Sequence, residues 1–360
     1  MTYSPFRHID SMFWKHSPIH LTVFLTRRCN AKCPYCFYLH DRNISNEKSG
    51  ELSTDEIERI SASLGKLLWL AFSGGEIFLR DDIVEITKIF YKRNKPVVIL
   101  FPTNGLLTDT ITGRIKEILA VCDKSIITVK LSLDGMEDLH DSIRGTKGSF
   151  KKTMQTYNSL AKLVDSHPNF ELGINTVFSS ENQDSMDELI EFVNGLKNIR
   201  THTVSLIRGD ISDEGQKDVD KDKYHETIRK IESNLKKRSS SIYSFRGAKL
   251  KAAQDILQRR LIHDTLLKQK RLIPCYAGRL NLVLTETGDL YPCESFNMKL
   301  GNVKENDYDI NKVLKSREAQ KVTDSIKKNG CYCTHECYFM TNILFNPLMY
   351  PALLKEYLQI

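Results

Sequence analysis

The stretch Thr26-Arg27-Arg28-Cys29-Asn30-Ala31-Lys32-Cys33-Pro34-Tyr35-Cys36-Phe37-Tyr38 decides how the rest of the chain is read. Its three cysteines stand at Cys-x3-Cys-x2-Cys, directly after the apolar run Leu21-Thr22-Val23-Phe24-Leu25. Three thiolates on one short loop can hold three irons of a cubane [4Fe–4S] cluster and leave the fourth iron without a protein ligand. An open position of that kind takes a substrate or cofactor, the same logic that separates catalytic from structural zinc sites. A zinc site completed by His40, four residues after Cys36, is the competing reading of the loop alone, since mixed Cys/His sets at such spacings bind zinc.

Working outward, the other cysteines are Cys122, Cys275, Cys293, Cys331, Cys333 and Cys337. Cys122 stands alone, and the last five form a second group. The N-terminus Met1-Thr2-Tyr3-Ser4-Pro5-Phe6-Arg7 lacks the basic-then-apolar pattern of a secretory signal. No apolar run reaches the ~18 residues of a membrane span. Reduced thiols serving metal in the cytoplasm fit this usage better than a disulfide framework. The 360 residues, 41% hydrophobic, suffice for a sizeable core. A net charge of +7 is mildly basic, but its lysines are dispersed, with one clump at Lys236-Lys237-Arg238. No basic patch interleaved with aromatics speaks for nucleic acid as a partner.

Short β-branched runs alternate with amphipathic helical patterns. Strands are expected at 21–25, 67–72, 97–101, 125–133, 171–178 and 203–207. Ser53-Thr54-Asp55-Glu56 and Ser185-Met186-Asp187-Glu188 read as capping boxes that open helices. Asp81 and Ser149 precede apolar stripes at helical spacing. Six βα units in succession imply parallel strands with right-handed crossovers, hence an α/β partial (β/α)6 TIM-like barrel. Polar and glycine-rich stretches then fall past the C-terminal ends of strands, where barrel chemistry sits. These are the cysteine loop, Ser73-Gly74-Gly75-Glu76, Thr103-Asn104-Gly105 and Ser132-Leu133-Asp134-Gly135. The expected organisation is an N-terminal extension (1–20), the barrel (21–210), connecting helices (211–270), a small cysteine-rich β-hairpin/helix domain (271–345) and a tail (346–360) that packs against a domain.

The cysteine loop, with aromatic Tyr35 before its third cysteine, resembles the signature of the radical S-adenosylmethionine (radical SAM) superfamily. Gly74-Gly75-Glu76 is similar to the family motif that contacts the SAM amino group, although Ile77 stands where the family usually has proline. The resemblance implies that Glu76 faces that amino group, that Ser132 and Arg144 bind the SAM ribose and carboxylate, and that Asn104 and Asn175 lie near the cofactor. Asn104 is equally a turn former, and Asn175 equally the partner of a neighbouring backbone group. Cys275-x12-Gly288-x4-Cys293, followed by Cys331, Cys333 and Cys337, resembles the SPASM/twitch auxiliary domain of the same family. Five cysteines fall short of the eight that two all-cysteine cubanes require, so one auxiliary [4Fe–4S] cluster is expected. Cys275 and Cys293 are the firmer ligands, with two more from the last three; a zinc knuckle fits this group taken alone.

The implied function is reductive cleavage of SAM to a 5′-deoxyadenosyl radical that takes hydrogen from a peptide or small-molecule substrate, with an electron donor such as flavodoxin or ferredoxin. The alternative is a non-catalytic iron–sulfur or zinc protein. About twenty residues before the first strand do not encode a leader-binding module, which tilts the expectation away from leader-dependent peptide chemistry. The resemblance to sulfatase-maturating members, where an acidic residue directly after the corresponding cysteine is proposed to deprotonate the substrate, makes Glu294 the candidate catalytic base, and burial beside a cluster is expected to raise its pKa. The competing role for Glu294 is a turn cap or a pair with Lys299.

Overall fold

Six β-branched apolar runs become the parallel strands β1 (His20–Thr26), β2 (Trp69–Gly74), β3 (Val98–Thr103), β4 (Ile126–Ser132), β5 (Phe170–Phe178) and β6 (Ile199–Leu206). They lie side by side in sequence order. The computed structural model describes residues 2–39, 50–237, 243 and 245–360. His40 and Arg238 fall outside the described residues. The expected incomplete barrel is present, though β6 starts four residues before the expected Thr203.

Helices α1 (Thr54–Ala62), α2 (Ile83–Asn94), α3 (Thr108–Val121), α4 (Glu137–Ile143), α5 (Ser149–Val164) and α6 (Met186–Gly195) alternate with the strands. The helix-facing strand residues Ile99, Phe101, Ile127, Val129 and Leu172 are fully buried with α2 and α3 side chains such as Phe90 and Ile115. Burying each such side chain stabilises the fold by ~1.5–3 kcal/mol. The Ser53 capping box forms: Glu56 N–H donates to Ser53 Oγ, and Ser53 N–H donates to the Glu56 carboxylate. The Ser185 box does not form. Ser185 Oγ donates instead to Asn182 O at 3.2 Å, and no side chain caps α6. A nearby carbonyl in the preceding turn outcompeted the orphan amides, a known alternative for serine. Helix α5 starts at Ser149 itself, and its cap comes from Asp141, which accepts from Phe150 N–H at 2.8 Å and from Ser149 Oγ at 2.9 Å.

The opposite face of the strands is unusual. In rows across β4, β5 and β6 it carries Thr128-Lys130-Ser132, Glu171-Gly173-Asn175 and Thr201-Thr203-Ser205. Branched aliphatics fill a closed barrel interior; here the interior is hollow, and its β4–β6 side is polar. Its open side is covered by α7 (Lys221–Lys237) and α8 (Ala248–Lys268), the two expected connecting helices.

The C-terminal hairpin continues the same sheet. Strand β7 (Asn281–Leu284) pairs in parallel with β1, in register His20 with Asn281 and Val23 with Leu284. Strands β8 (Asp289–Tyr291) and β9 (Gly301–Asn302) follow antiparallel. The expected turn at Gly288 is made at φ +89°, a left-handed conformation that glycine adopts without strain. Helices α9 (Ile310–Lys315) and α10 (Arg317–Asn329) lead to α11 (Glu336–Leu344) and α12 (Tyr350–Gln359). The tail helix α12 packs on α8, with Arg260 Nη1 2.6 Å from Glu356 Oε1. Among the described residues no helix is long and apolar enough to cross a membrane.

Candidate active site

At the C-terminal rim of the strands lies a cavity of about 220 Å³ whose wall contains Cys29, Cys33 and Cys36 together. Cys29 lies within electrostatic reach of both other thiols. The loop is pressed onto the glycine pair after β2. A Cβ on Gly75 would sit 2.1 Å from Arg28 O, and one on Gly74 2.4 Å from Thr26 O. Only glycines allow this approach, which delivers Gly75 N–H to Thr26 O (2.8 Å) and Glu76 N–H to Arg28 O (2.9 Å).

Glu76 is buried beside these cysteines. Its carboxylate accepts from Thr103 Oγ1 (2.9 Å), Asn104 N–H (2.8 Å) and Phe78 N–H (3.2 Å). Among the described residues no cation lies within ion-pair distance. Burial pushes its pKa up to about 7, against the hydrogen bonds that favour the charged form. Asn104 turns its side-chain amide to Asn30 Oδ1 at 2.7 Å and towards Cys29 Sγ at 3.9 Å, while its oxygen accepts Leu106 N–H. Asn104 thus acts as a turn former and also holds Asn30 of the cysteine loop. Ser132 and Asn175 are paired across β4 and β5, and both face the cavity.

Arg144 reaches the same wall from the end of α4. Its Nη1 is 3.8 Å from Cys33 Sγ, and its Nε is 2.6 Å from Asp134 Oδ2, an ion pair without hydrogen-bond alignment. Asp134 is fully buried and also accepts from Tyr35 OH (2.7 Å) and Val177 N–H (2.8 Å). Tyr35 thus spends its hydroxyl on Asp134, and the guanidinium lies over its ring at 5.6 Å. Arg144 O accepts Lys32 N–H at 3.1 Å, which ties the two loops. In the sequence, only the place of Asp134 just past a strand-like run, in Ser132-Leu133-Asp134-Gly135, marks it.

The second cysteine group lies across the barrel interior. Cys275 and Cys293, flanking the β7–β8 hairpin, pack in one apolar group with Met298 and Tyr338. Cys331 and Cys333 lie within electrostatic reach of this pair. Cys337 forms a separate group: its sulfur and the ligand atoms of Glu294 and His335 are all within 4.8 Å of one another, and all three face the barrel interior.

Glu294 does not behave as expected. Burial alone would raise its pKa, but His335 and Arg208 outweigh burial and hold it below the ordinary carboxylate value. His335 Nε2 is 2.6 Å from Glu294 Oε2 and 3.0 Å from Arg208 Nη2, and Cys337 N–H donates to His335 Nδ1. Lys299, the other expected partner, pairs with Asp289 at 2.6 Å instead. His335 and Arg208 were missed. Arg208 follows β6 and brings Nη1 to 3.3 Å from Glu336 and Nη2 to 3.8 Å from Glu294, joining the barrel to the C-terminal segment. Nothing local in the sequence marks either residue.

Comparison with known proteins gives two family matches. A model described as the radical SAM superfamily matches residues 23–193, and one described as SPASM, an iron–sulfur cluster-binding domain, matches residues 275–338. Among curated proteins the chain is 29% identical over 297 residues to the antilisterial bacteriocin subtilosin biosynthesis protein AlbA of Bacillus subtilis (strain 168); this covers 81% of the chain and 59% of that protein, so the chain spans less than two thirds of that relative's length. It is 28% identical over 293 residues to the AdoMet-dependent heme synthase of Methanosarcina barkeri (strain Fusaro / DSM 804), covering 78% of each. Among solved structures it resembles native anSMEcpe with bound AdoMet (TM-score 0.60, 16% identity, 95% of this chain and 97% of that one), a likeness of fold.

The cofactor set that follows is a SAM-binding [4Fe–4S] cluster, SAM itself and an auxiliary iron–sulfur cluster. The residues fit it. Three thiols on one rim suit three irons of a cubane, the buried Glu76 carboxylate, with no cation in ion-pair distance among the described residues, suits an amino group, and glycines hold the cradle a Cβ would fill. The alternatives of a zinc site or a non-catalytic protein are not favoured.

Proposed function

We propose a function from one premise: this chain belongs to the radical SAM superfamily and carries a C-terminal SPASM iron–sulfur domain. On that premise it is a radical SAM oxidoreductase or maturase that takes a hydrogen atom from a peptide or small-molecule substrate. Bound at the rim, the cluster and SAM supply one-electron cleavage of the sulfonium to methionine and a 5′-deoxyadenosyl radical.

The chain's own residues bind and orient. Cys29, Cys33 and Cys36 hold the cluster. Glu76 and the Gly74–Gly75 backbone take the SAM amino group. Arg144, fixed by Asp134, offers its remaining donors to the SAM carboxylate, a planar match that lysine lacks. Ser132 and Asn175 face the ribose, and Tyr35 supports Asp134. Of the second group, Cys275, Cys293, Cys331 and Cys333 are the ligands the grouping favours, with Cys337 lining the reaction chamber. Glu294, paired with His335, is positioned to accept a proton from substrate through its carboxylate oxygen. Helices α7 and α8 keep bulk water from the chamber. The division into barrel (21–210), connecting helices (211–270) and auxiliary segment (271–345) follows these roles, and reduced thiols suit the cytoplasm, with a flavodoxin or ferredoxin as electron donor.

The observation that carries this reading is the meeting of the three loop thiols with the buried Glu76 carboxylate in one cavity. Replacing Cys29, Cys33 and Cys36 together by alanine is expected to abolish 5′-deoxyadenosine formation under reductant while the auxiliary cluster persists. Continued formation of 5′-deoxyadenosine by the triple variant would overturn the assignment.

A further inference from the structure

The hollow interior below the rim is a cavity of about 320 Å³, the size of a small-molecule site. It adjoins the rim cavity: Asn175, Ser205 and Arg208 face both. Its deeper part holds four cationic side chains, Lys130, Arg200, Lys251 and Arg259, against two carboxylates, Glu171 and Asp255. Asp255 is occupied by Tyr243 OH at 2.5 Å and by Lys251 Nζ.

The other three cations have no carboxylate within ion-pair distance among the described residues. Among the described residues Lys130 Nζ donates only to the hydroxyls of Thr201 and Thr203. Arg200 Nε and Arg259 Nη1 are buried without hydrogen bonds among the described residues, as are Asn234 Nδ2 and Trp69 Nε1 in the same wall. Buried donors without acceptors cost about 1–3 kcal/mol each, and these four belong to residues of one cavity wall that also carries Lys130, so the wall is rich in donors and poor in acceptors. Room has been made for the lysine. Lys130, Gly173 and Thr201 stand in one row across β4, β5 and β6, and a Cβ on Gly173 would lie 2.7 Å from Lys130 Nζ. Burial pushes the Lys130 pKa down to about 7, against the pull of the more distant Asp255 and Glu171.

We propose that this chamber anchors a carboxylate of the substrate, an acidic side chain or a small organic acid, against Lys130, Arg200 and Arg259. Lys130 lies one pleat, about 7 Å, below Ser132 on the same strand, so a carboxylate seated there needs a chain of about five bonds to bring a carbon level with the ribose position. This rests on the reading that the cavity is the reaction chamber.

The test titrates anaerobically reconstituted holoprotein with glutarate and with its neutral analogue glutaramide at matched ionic strength, reading the melting temperature. Glutarate is expected to half-saturate at a concentration at least tenfold below glutaramide, and Lys130→Met and Arg259→Gln are each expected to erase that gap. Equal responses to the two compounds, or a gap that survives both substitutions, overturn the proposal. SAM binding measured on the same wild-type sample separates the two readings: its absence counts against the function proposed above, whereas SAM binding with equal glutarate and glutaramide responses counts against the carboxylate anchor alone.

Discussion

The Asp134–Arg144 pair should behave as one unit, and a double-mutant cycle measures it. Asp134 is 0% exposed and its partners are Arg144 Nε at 2.6 Å, Tyr35 OH at 2.7 Å and Val177 N–H at 2.8 Å. Arg144→Met leaves that carboxylate with two neutral donors and no cation, a loss of about 3–5 kcal/mol for a buried pair broken on one side. Asp134→Asn strands the guanidinium in the same way, eased by the Cys33 sulfur 3.8 Å from Nη1. The double variant removes both charges, so it should lose less than the two singles together, with a coupling of up to about 3 kcal/mol. Urea unfolding of reconstituted protein, followed by circular dichroism, gives the four stabilities. A second reading comes from Arg144→Lys, which keeps charge but loses the fork; the SAM dissociation constant should rise tenfold or more, from a loss of about 1.5–3 kcal/mol. Single losses that add to the double within about 0.5 kcal/mol, together with an unchanged SAM dissociation constant, would refute both the pair and its placement at the cofactor.

Cubane counting gives about eight irons per chain for two clusters, and Cys333→Ser should lower this towards four while Cys337→Ser leaves it near eight. A fall with Cys337→Ser would place that thiol among the auxiliary ligands. Glu294→Gln should retain both clusters and 5′-deoxyadenosine formation but give little product, as product assays and iron analysis can follow; product at the wild-type rate would make Glu294 structural.

Much of this site lies in contiguous sequence. The cysteine loop, Gly74-Gly75-Glu76 and the Cys275/Cys293 hairpin are legible because each packs its chemistry into a few residues whose spacing is set by a loop or turn. Both helix starts are legible, α1 opening after Ser53 and α6 after Ser185, but the side-chain cap forms only at Ser53, because at Ser185 a carbonyl three residues back competes. The pKa of Glu294 was misjudged because burial acts with partners that the sequence does not reveal: His335 is 41 residues away and Arg208 lies on another strand end.

The sequence alone determined the α/β class, the open-iron loop and the presence of a second cysteine group, since periodicity of two, helical stripes and short spacings are local properties of the chain. Tertiary structure decided the rest. Tyr35 meets Asp134 across 99 residues, and β7 joins β1 to extend one sheet rather than start another. Lys130, Gly173 and Thr201 share a row only through strand register. Which side chains face a common interior depends on register and strand order, and those are fixed by packing across the whole sheet, not by any one segment.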